Sequence, residues 1–160
     1  MERMLVKERT IPAGQHGCWT AWTTSEGAQA FFAPKCNIVL SVGGLYEVLF
    51  FPDAPPGQRG ADGMMVLSYL PERMLSFSWN APMEFGPLRN ARTWVVIEIA
   101  PRGAESSLVH LTHLGWGEGE GWDAVYAYFV DAWDIVLERL VQRFVHGPLD
   151  WGAIRREREG

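Results

Sequence analysis

Histidine offers the most versatile chemistry in this chain. His110 and His113 stand three apart in a stretch, Ser107 to Leu114, that alternates apolar and polar residues. On a strand that spacing sends the two rings to opposite faces, so one ion cannot take both. No Cys-x-x-Cys and no His-Glu-x-x-His accompanies them, and no metal is expected. His113 shares a face with Val109 and Leu111 and is expected to point inward. An imidazole titrates near neutral pH and can move a proton either way, which makes His113 the candidate catalytic residue. Glu84 and Asp123 are the carboxylates that could approach it. The plainer alternative is a hydrogen-bonded core histidine. The thiols offer less: Cys18 lies beside Trp19 in an apolar stretch and reads as inert, and Cys36 follows Lys35, but adjacent strand residues diverge. No Gly-x-Ser-x-Gly elbow occurs. Gly115, Gly117, Gly119 and Gly121 are spaced by two and interleaved with Glu118 and Glu120, which repel phosphate. That run reads as a hinge, or as a gate at a cavity mouth, because glycine permits large backbone swings. No cofactor is expected.

Aromatic side chains supply a second kind of chemistry. The 160 residues include eight Trp and eight Phe, and a buried Trp wants a partner for its ring nitrogen. Tyr46, Phe50, Phe77 and Trp79 are the expected floor of a cavity. Trp122, Tyr126, Phe129 and Trp133 are its expected roof. Met83 and Phe85 lie in a loop that could close one end, and His113 enters near its edge. Cavities lined this way commonly accept small organic ligands. The alternative is that the rings simply fill the space.

The elements that would position these groups follow from periodicity. Met4 to Ile11 alternates as a strand and ends at Pro12-Ala13-Gly14. Cys18, Trp19 and Trp22 sit at helical spacing over Ala13 to Thr23, and Thr24-Ser25-Glu26-Gly27 offers a cap to a second short helix that stops before Pro34. Strands are expected over Cys36 to Val42, Leu45 to Phe51 and Gly63 to Leu70. Leu75, Phe77 and Trp79 alternate with Ser76, Ser78 and Asn80, a clear period of two. Asn80 to Asn90 reads as a connection. Arg92 to Ile99 and Ser107 to Leu114 form a hairpin across Pro101-Arg102-Gly103-Ala104. Trp122, Tyr126, Phe129, Trp133, Val136, Leu140 and Phe144 then make one apolar stripe on a long helix that Gly147-Pro148 stops. The fold class is therefore α+β: a curved antiparallel sheet of about seven strands, two short helices, and a long C-terminal helix across the concave face.

Composition narrows the function classes. A chain of 160 residues reads as a single domain, 1–150, with a polar tail at 151–160 where Arg155-Arg156-Glu157-Arg158-Glu159 mixes charges. A net charge of −5 disfavours nucleic acid as a partner. No apolar run approaches the ~18 residues of a membrane span. The first residues, Met1-Glu2-Arg3-Met4-Leu5, do not read as a signal peptide, so a cytoplasmic location and two free thiols are expected. Met64, Met65, Val66, Leu67 and Tyr69 make a strand apolar on both faces; one face should look outward and could serve a homodimer or a protein partner.

Several motifs together resemble a known family. They are Trp19, Trp22-Thr23-Thr24-x-Glu26-Gly27, Gly43-Gly44-x-Tyr46, Pro71-Glu72-Arg73-x-Leu75-Ser76-Phe77-Ser78-Trp79, Thr112-His113-x-Gly115, and Trp133 with Leu137 on the long helix. The order of elements is similar to the START-like helix-grip superfamily (SRPBCC). Within it the motifs resemble the C-terminal domain of the heat-shock-protein-90 ATPase activator. The likeness spans nearly the whole chain. Members include co-chaperone domains, polyketide-type cyclases and lipid carriers, and the co-chaperone role belongs to a larger protein with a further N-terminal domain. Many relatives carry an acidic and then a basic residue just ahead of the Gly-Gly turn; here Val39 and Ser41 stand there. Three roles follow as expectations: a non-enzymatic binder of a small apolar molecule, lipids included; a cyclase, dehydratase or isomerase using His113; and a chaperone-associated interaction domain in a stress response.

Overall fold

A computed structural model describes residues 2–159, with side chains through residue 157. The chain runs β1 (Leu5–Ile11), α1 (Gln15–Thr23), α2 (Ser25–Gln29), β2 (Lys35–Ile38), β3 (Tyr46–Leu49), β4 (Val66–Leu70), β5 (Met74–Trp79), a 3-10 segment (Met83–Asn90), β6 (Thr93–Gly103), β7 (Ser106–Leu114), α3 (Glu120–His146) and α4 (Trp151–Glu159). The expected α+β helix-grip architecture is what forms. All strand pairings are antiparallel, in a five-stranded sheet ordered β1-β7-β6-β5-β4 and a two-stranded sheet of β2 and β3. Isolated bridges Leu45↔Met65 and Leu49↔Gly60 join β3 to the approach of β4, so the small sheet continues the curve of the large one.

Alternation decides which side chains face the helix. Along β7 the odd residues Ser107, Val109, Leu111 and His113 are buried and the even ones are half-exposed. Lys7 and Arg9 share the inward face of β1 with Leu5 and Ile11, and reach α3 at the sheet edge. Arg3 pairs with Asp123 and Lys7 with Asp134, each at 3.0 Å, and Arg9 pairs with Glu138. Hydrogen bonds from Gln142 and Arg9 hold the Glu138 carboxyl below its ordinary pKa. One flank of α3 is thus fastened to β1. The opposite flank, carrying Tyr128, Ala132, Ile135 and Arg139, is not.

The short helices explain two of the sequence motifs. Thr24 Oγ1 accepts from the Gly27 N–H at 3.0 Å and caps α2. A Cβ on Gly27 would lie 2.3 Å from the Thr20 carbonyl oxygen, so only glycine lets α2 cross α1 this closely. At the β2–β3 turn a Cβ on Gly44 would meet Val39 O at 2.3 Å. That turn delivers Tyr46, fully buried, stacked on Phe77 at 4.1 Å and donating its hydroxyl to Trp22 O at 2.7 Å. Cys18 and Cys36 are both free and buried. Burial raises both thiols, Cys36 to about 12, which keeps it protonated and inert.

Residues 151–159, read as a polar tail, are helical, and residues 155–157 are exposed. Trp151 anchors this helix, α4: the indole Nε1–H donates to Gln29 O at 2.6 Å and Arg139 stacks over the ring at 5.4 Å. Among the described residues, no helix is long and apolar enough to cross a membrane. Gly27→Ala should lower unfolding free energy by about 1–3 kcal/mol through forced overpacking, measured by urea denaturation. A change within ±0.3 kcal/mol would contradict the close crossing of α1 and α2.

Candidate functional site

A cleft of about 370 Å³ opens between the flank of α3 that faces away from β1, the end of β5 and the 3-10 segment. Its inner wall is aromatic: Phe32, Trp79, Phe129 and Trp133, all buried. Phe32 stacks on Trp79 at 5.6 Å, Trp79 meets Trp133 at 5.6 Å, and Trp133 stacks on Phe129 at 6.0 Å. Its rim is apolar and exposed, with Phe51 56%, Met83 51% and Ile135 50% accessible. Polar groups gather at one corner, where Asn80 and Arg89 both donate to the Gly60 carbonyl and Gln58 also lines the cleft.

Trp133 is the ring that divides the interior. On one side it lines the cleft, and on the other its Nε1–H donates to His113 Nδ1 at 3.0 Å. An indole nitrogen can only donate, so Nδ1 carries no proton and the ring is the Nε2–H tautomer. That proton is shared with Thr93 Oγ1 at 2.7 Å, and the threonine hydroxyl reaches Trp79 O at 3.5 Å. Both nitrogens of His113 are therefore committed. Phe129 and Trp116 pack on the ring at 4.8 and 4.1 Å, leaving it fully buried. Burial lowers its pKa to about 3.

Placement of the expected site residues divides into two groups. Phe50, Trp79, Met83, Phe129 and Trp133 line the cleft. His113 does not; the expected proton shuttle is sealed behind Trp133 and out of reach of a guest. Tyr46 and Phe77 lie deeper, in the solid core. Phe85 turns away to pack edge-on against Tyr128 at 5.7 Å. Trp122 and Tyr126 face Trp116, at 6.5 and 5.3 Å, which fills the space beneath the start of α3. The glycine-rich run is correspondingly not a gate at the cleft. Trp116 donates to His113 O at 3.0 Å, and a Cβ on Gly117 would strike the Trp122 ring at 2.2 Å. Its glycines let rings approach backbone, and none of them lines the cleft.

Sequence reasoning missed Phe32, Arg89, Tyr128, Ala132 and Ile135. The last three sit on α3 beside the main stripe, and Tyr128 with Ile135 is a second apolar flank visible in the helical period. Nothing in the sequence marks Arg89 as buried. Glu84 lines the rim, whereas Asp123 is held by Arg3 at the far edge. Among the described residues no group of three or more His, Cys, Asp or Glu could hold a metal.

Comparison with known proteins places this geometry. Residues 15–144 match the family described as Activator of Hsp90 ATPase homolog 1-like protein. Among solved structures, the chain is similar to protein MLL2253 from Mesorhizobium loti (TM-score 0.71, 21% identity), covering 92% of this chain and 100% of that one. It is similar to the Aha1 dimer from Colwellia psychrerythraea (TM-score 0.68, 17% identity; 91% and 98% covered). It is also similar to CalU16 from Micromonospora echinospora (TM-score 0.66, 19% identity; 99% and 83% covered). At these identities the likeness is one of fold. No curated protein matches the sequence.

Linkage gives His113 a signature in stability. Its pKa is 6.5 in the ordinary case and about 3 when folded, so between those values the unfolded chain binds a proton that the folded chain refuses. Stability from this residue is full above pH 6.5, declines as pH falls toward 3, and levels off below; the span is on the order of 5 kcal/mol. His113→Gln, which cannot titrate, should flatten the fall in unfolding free energy between pH 6.5 and 4. An unchanged slope would show that the ring is not held neutral.

Proposed function

We propose that this chain, which belongs to the Activator of Hsp90 ATPase homolog 1-like family, binds a small apolar or aromatic molecule in the cleft beside α3, without chemistry of its own. The observation that carries the reading is the contrast across the cleft. Trp79 and Trp133 are 3% and 1% exposed at its inner wall, while exposed apolar side chains ring its mouth. An open cleft of about 370 Å³ keeps the apolar rim of Phe51, Met83 and Ile135 in contact with water. An apolar guest removes that surface from water. The wall is also fixed in advance, because Trp133 is hydrogen-bonded at 3.0 Å to a histidine that Thr93 holds in turn. Preorganisation of this kind lowers the ordering cost of binding. His113 acts through Trp133 as a positioning residue, and the expected role as a proton shuttle has no route to a guest.

A second reading concerns the outer face of the sheet. Met64 and Val66 are fully buried, whereas Met65 and Leu67 are 43% and 40% exposed. Leu45, bridged to Met65, and Trp94 add exposed apolar area on that side. The Colwellia psychrerythraea relative is a dimer. Self-association through this face fits both facts.

Two measurements test these readings. Ala132→Phe should fill the cleft, leave far-UV circular dichroism unchanged, and abolish the rise in melting temperature that saturating apolar ligands give the unaltered protein. A panel of lipids, steroids and aromatic polyketides that shifts neither melting temperature nor Trp emission removes the first reading. For the second, Met65→Lys with Leu67→Lys should lower the mass seen by light scattering at high concentration. A monomer in the unaltered protein at millimolar concentration ends it.

A further inference from the structure

Arg89 is 7% exposed, yet it lines the cleft. Nη1 donates to Ala81 O at 2.6 Å. Nη2 donates to Gly57 O at 2.8 Å and Gly60 O at 2.9 Å, with Asp62 Oδ1 at 3.5 Å. A guanidinium has five N–H groups. Among the described residues, no acceptor takes the Nε–H or the second hydrogen of Nη1. The Nε–H is not sealed from solvent, and an acceptor delivered from the cleft would take the place of water at a charged donor. Asn80 stands beside it with its amide nitrogen on Gly60 O at 2.9 Å, and Gln58 completes the corner.

Charge decides what kind of acceptor fits. The positive charge of Arg89 already has the Asp62 carboxylate as counter-charge. Asp62 is fixed there by the backbone N–H groups of Gly57, Arg59 and Gly60, each at 2.9 Å. The remaining charged lining residues, Glu84 and Arg139, offset each other. A carboxylate entering this corner would bring an uncompensated charge out of water, whereas a neutral oxygen would not.

We infer that the molecule bound in the cleft is uncharged and carries a carbonyl-type oxygen that accepts from Arg89, with its apolar body against Trp79 and Trp133. This rests on the ligand-binding reading above and names the class of ligand for it. A ketone, ester or amide on a small ring system satisfies it; a free fatty or aromatic acid does not.

Equilibrium dialysis of the full chain at pH 7.5 against three probes of one shape tests it: 2-acetylnaphthalene, 2-isopropenylnaphthalene and 2-naphthoate. The ketone should bind roughly ten-fold or more tightly than the hydrocarbon, as a hydrogen bond to a charged group requires, and more tightly than the acid. Arg89→Lys, which keeps the charge and loses the planar fork, should erase most of the ketone's advantage and leave the hydrocarbon's affinity in place. Equal binding of ketone and hydrocarbon overturns this inference and leaves a generic apolar site standing. Tightest binding of naphthoate overturns it in favour of an anion site. Failure of all three to bind overturns it together with the reading on which it rests.

Discussion

The hydrogen bond from Trp133 to His113 is the constraint around which the interior is arranged. A tryptophan in the middle of a long helix has no intrinsic reason to adopt one orientation. Here it has one, because its only polar atom must find an acceptor in the core, and His113 Nδ1 is that acceptor. Because an indole only donates, Trp133 fixes the tautomer, and Thr93 takes the Nε2–H that results. The ring then stands as a partition. Behind it lie His113 and Trp116; on its other side it joins Phe32, Trp79 and Phe129 in the inner wall of the cleft. One interaction decides both where the core is solid and where it is hollow.

The hollow also has a mechanical origin. α3 is gripped unevenly: ion pairs from Arg3, Lys7 and Arg9 hold one flank against β1. Such exposed pairs contribute little to stability, but all three join the same flank of α3 to the N-terminal edge of the sheet. On the other flank Phe85 of the 3-10 segment packs on Tyr128, and Arg139 lies over Trp151 of α4. Arg89 then braces that segment against the backbone of residues 57–62. The cleft therefore sits between a rigid wall and a loop braced by a buried cation.

Much of the architecture was legible because it depends on periods that neighbours enforce. The alternation of Leu75, Phe77 and Trp79 and the stripe from Phe129 to Leu140 describe faces, and a face is a property of local sequence. The cleft was less legible because it depends on which rings reach one another. Trp122 and Tyr126 occupy stripe positions, but Trp116 arrives from the glycine run and covers them. Phe32, three residues beyond α2, packs on both Trp79 and Trp133 by a chain path that no period reveals. Arg89 is the extreme case. A loop arginine is ordinarily solvated, and its burial follows from the carbonyls of Gly57, Gly60 and Ala81, which only the folded loops bring together. α4 was hidden for the opposite reason: its run of mixed charges masks Trp151, which supplies the anchor.

The place of β1 at the sheet edge beside β7 has a kinetic consequence. Glu8 and His110, opposite one another in that ladder, are 102 residues apart. The hairpin of β6 and β7 can form early from local contacts, but β1 must close a loop of nearly two-thirds of the chain to join it. Pairings of such long separation place a domain toward the slow end of two-state folding. Until that closure, α3 lacks the cations that seat it. Slow closure lengthens the time for which an unfolded chain leaves its tryptophans uncovered to other chains.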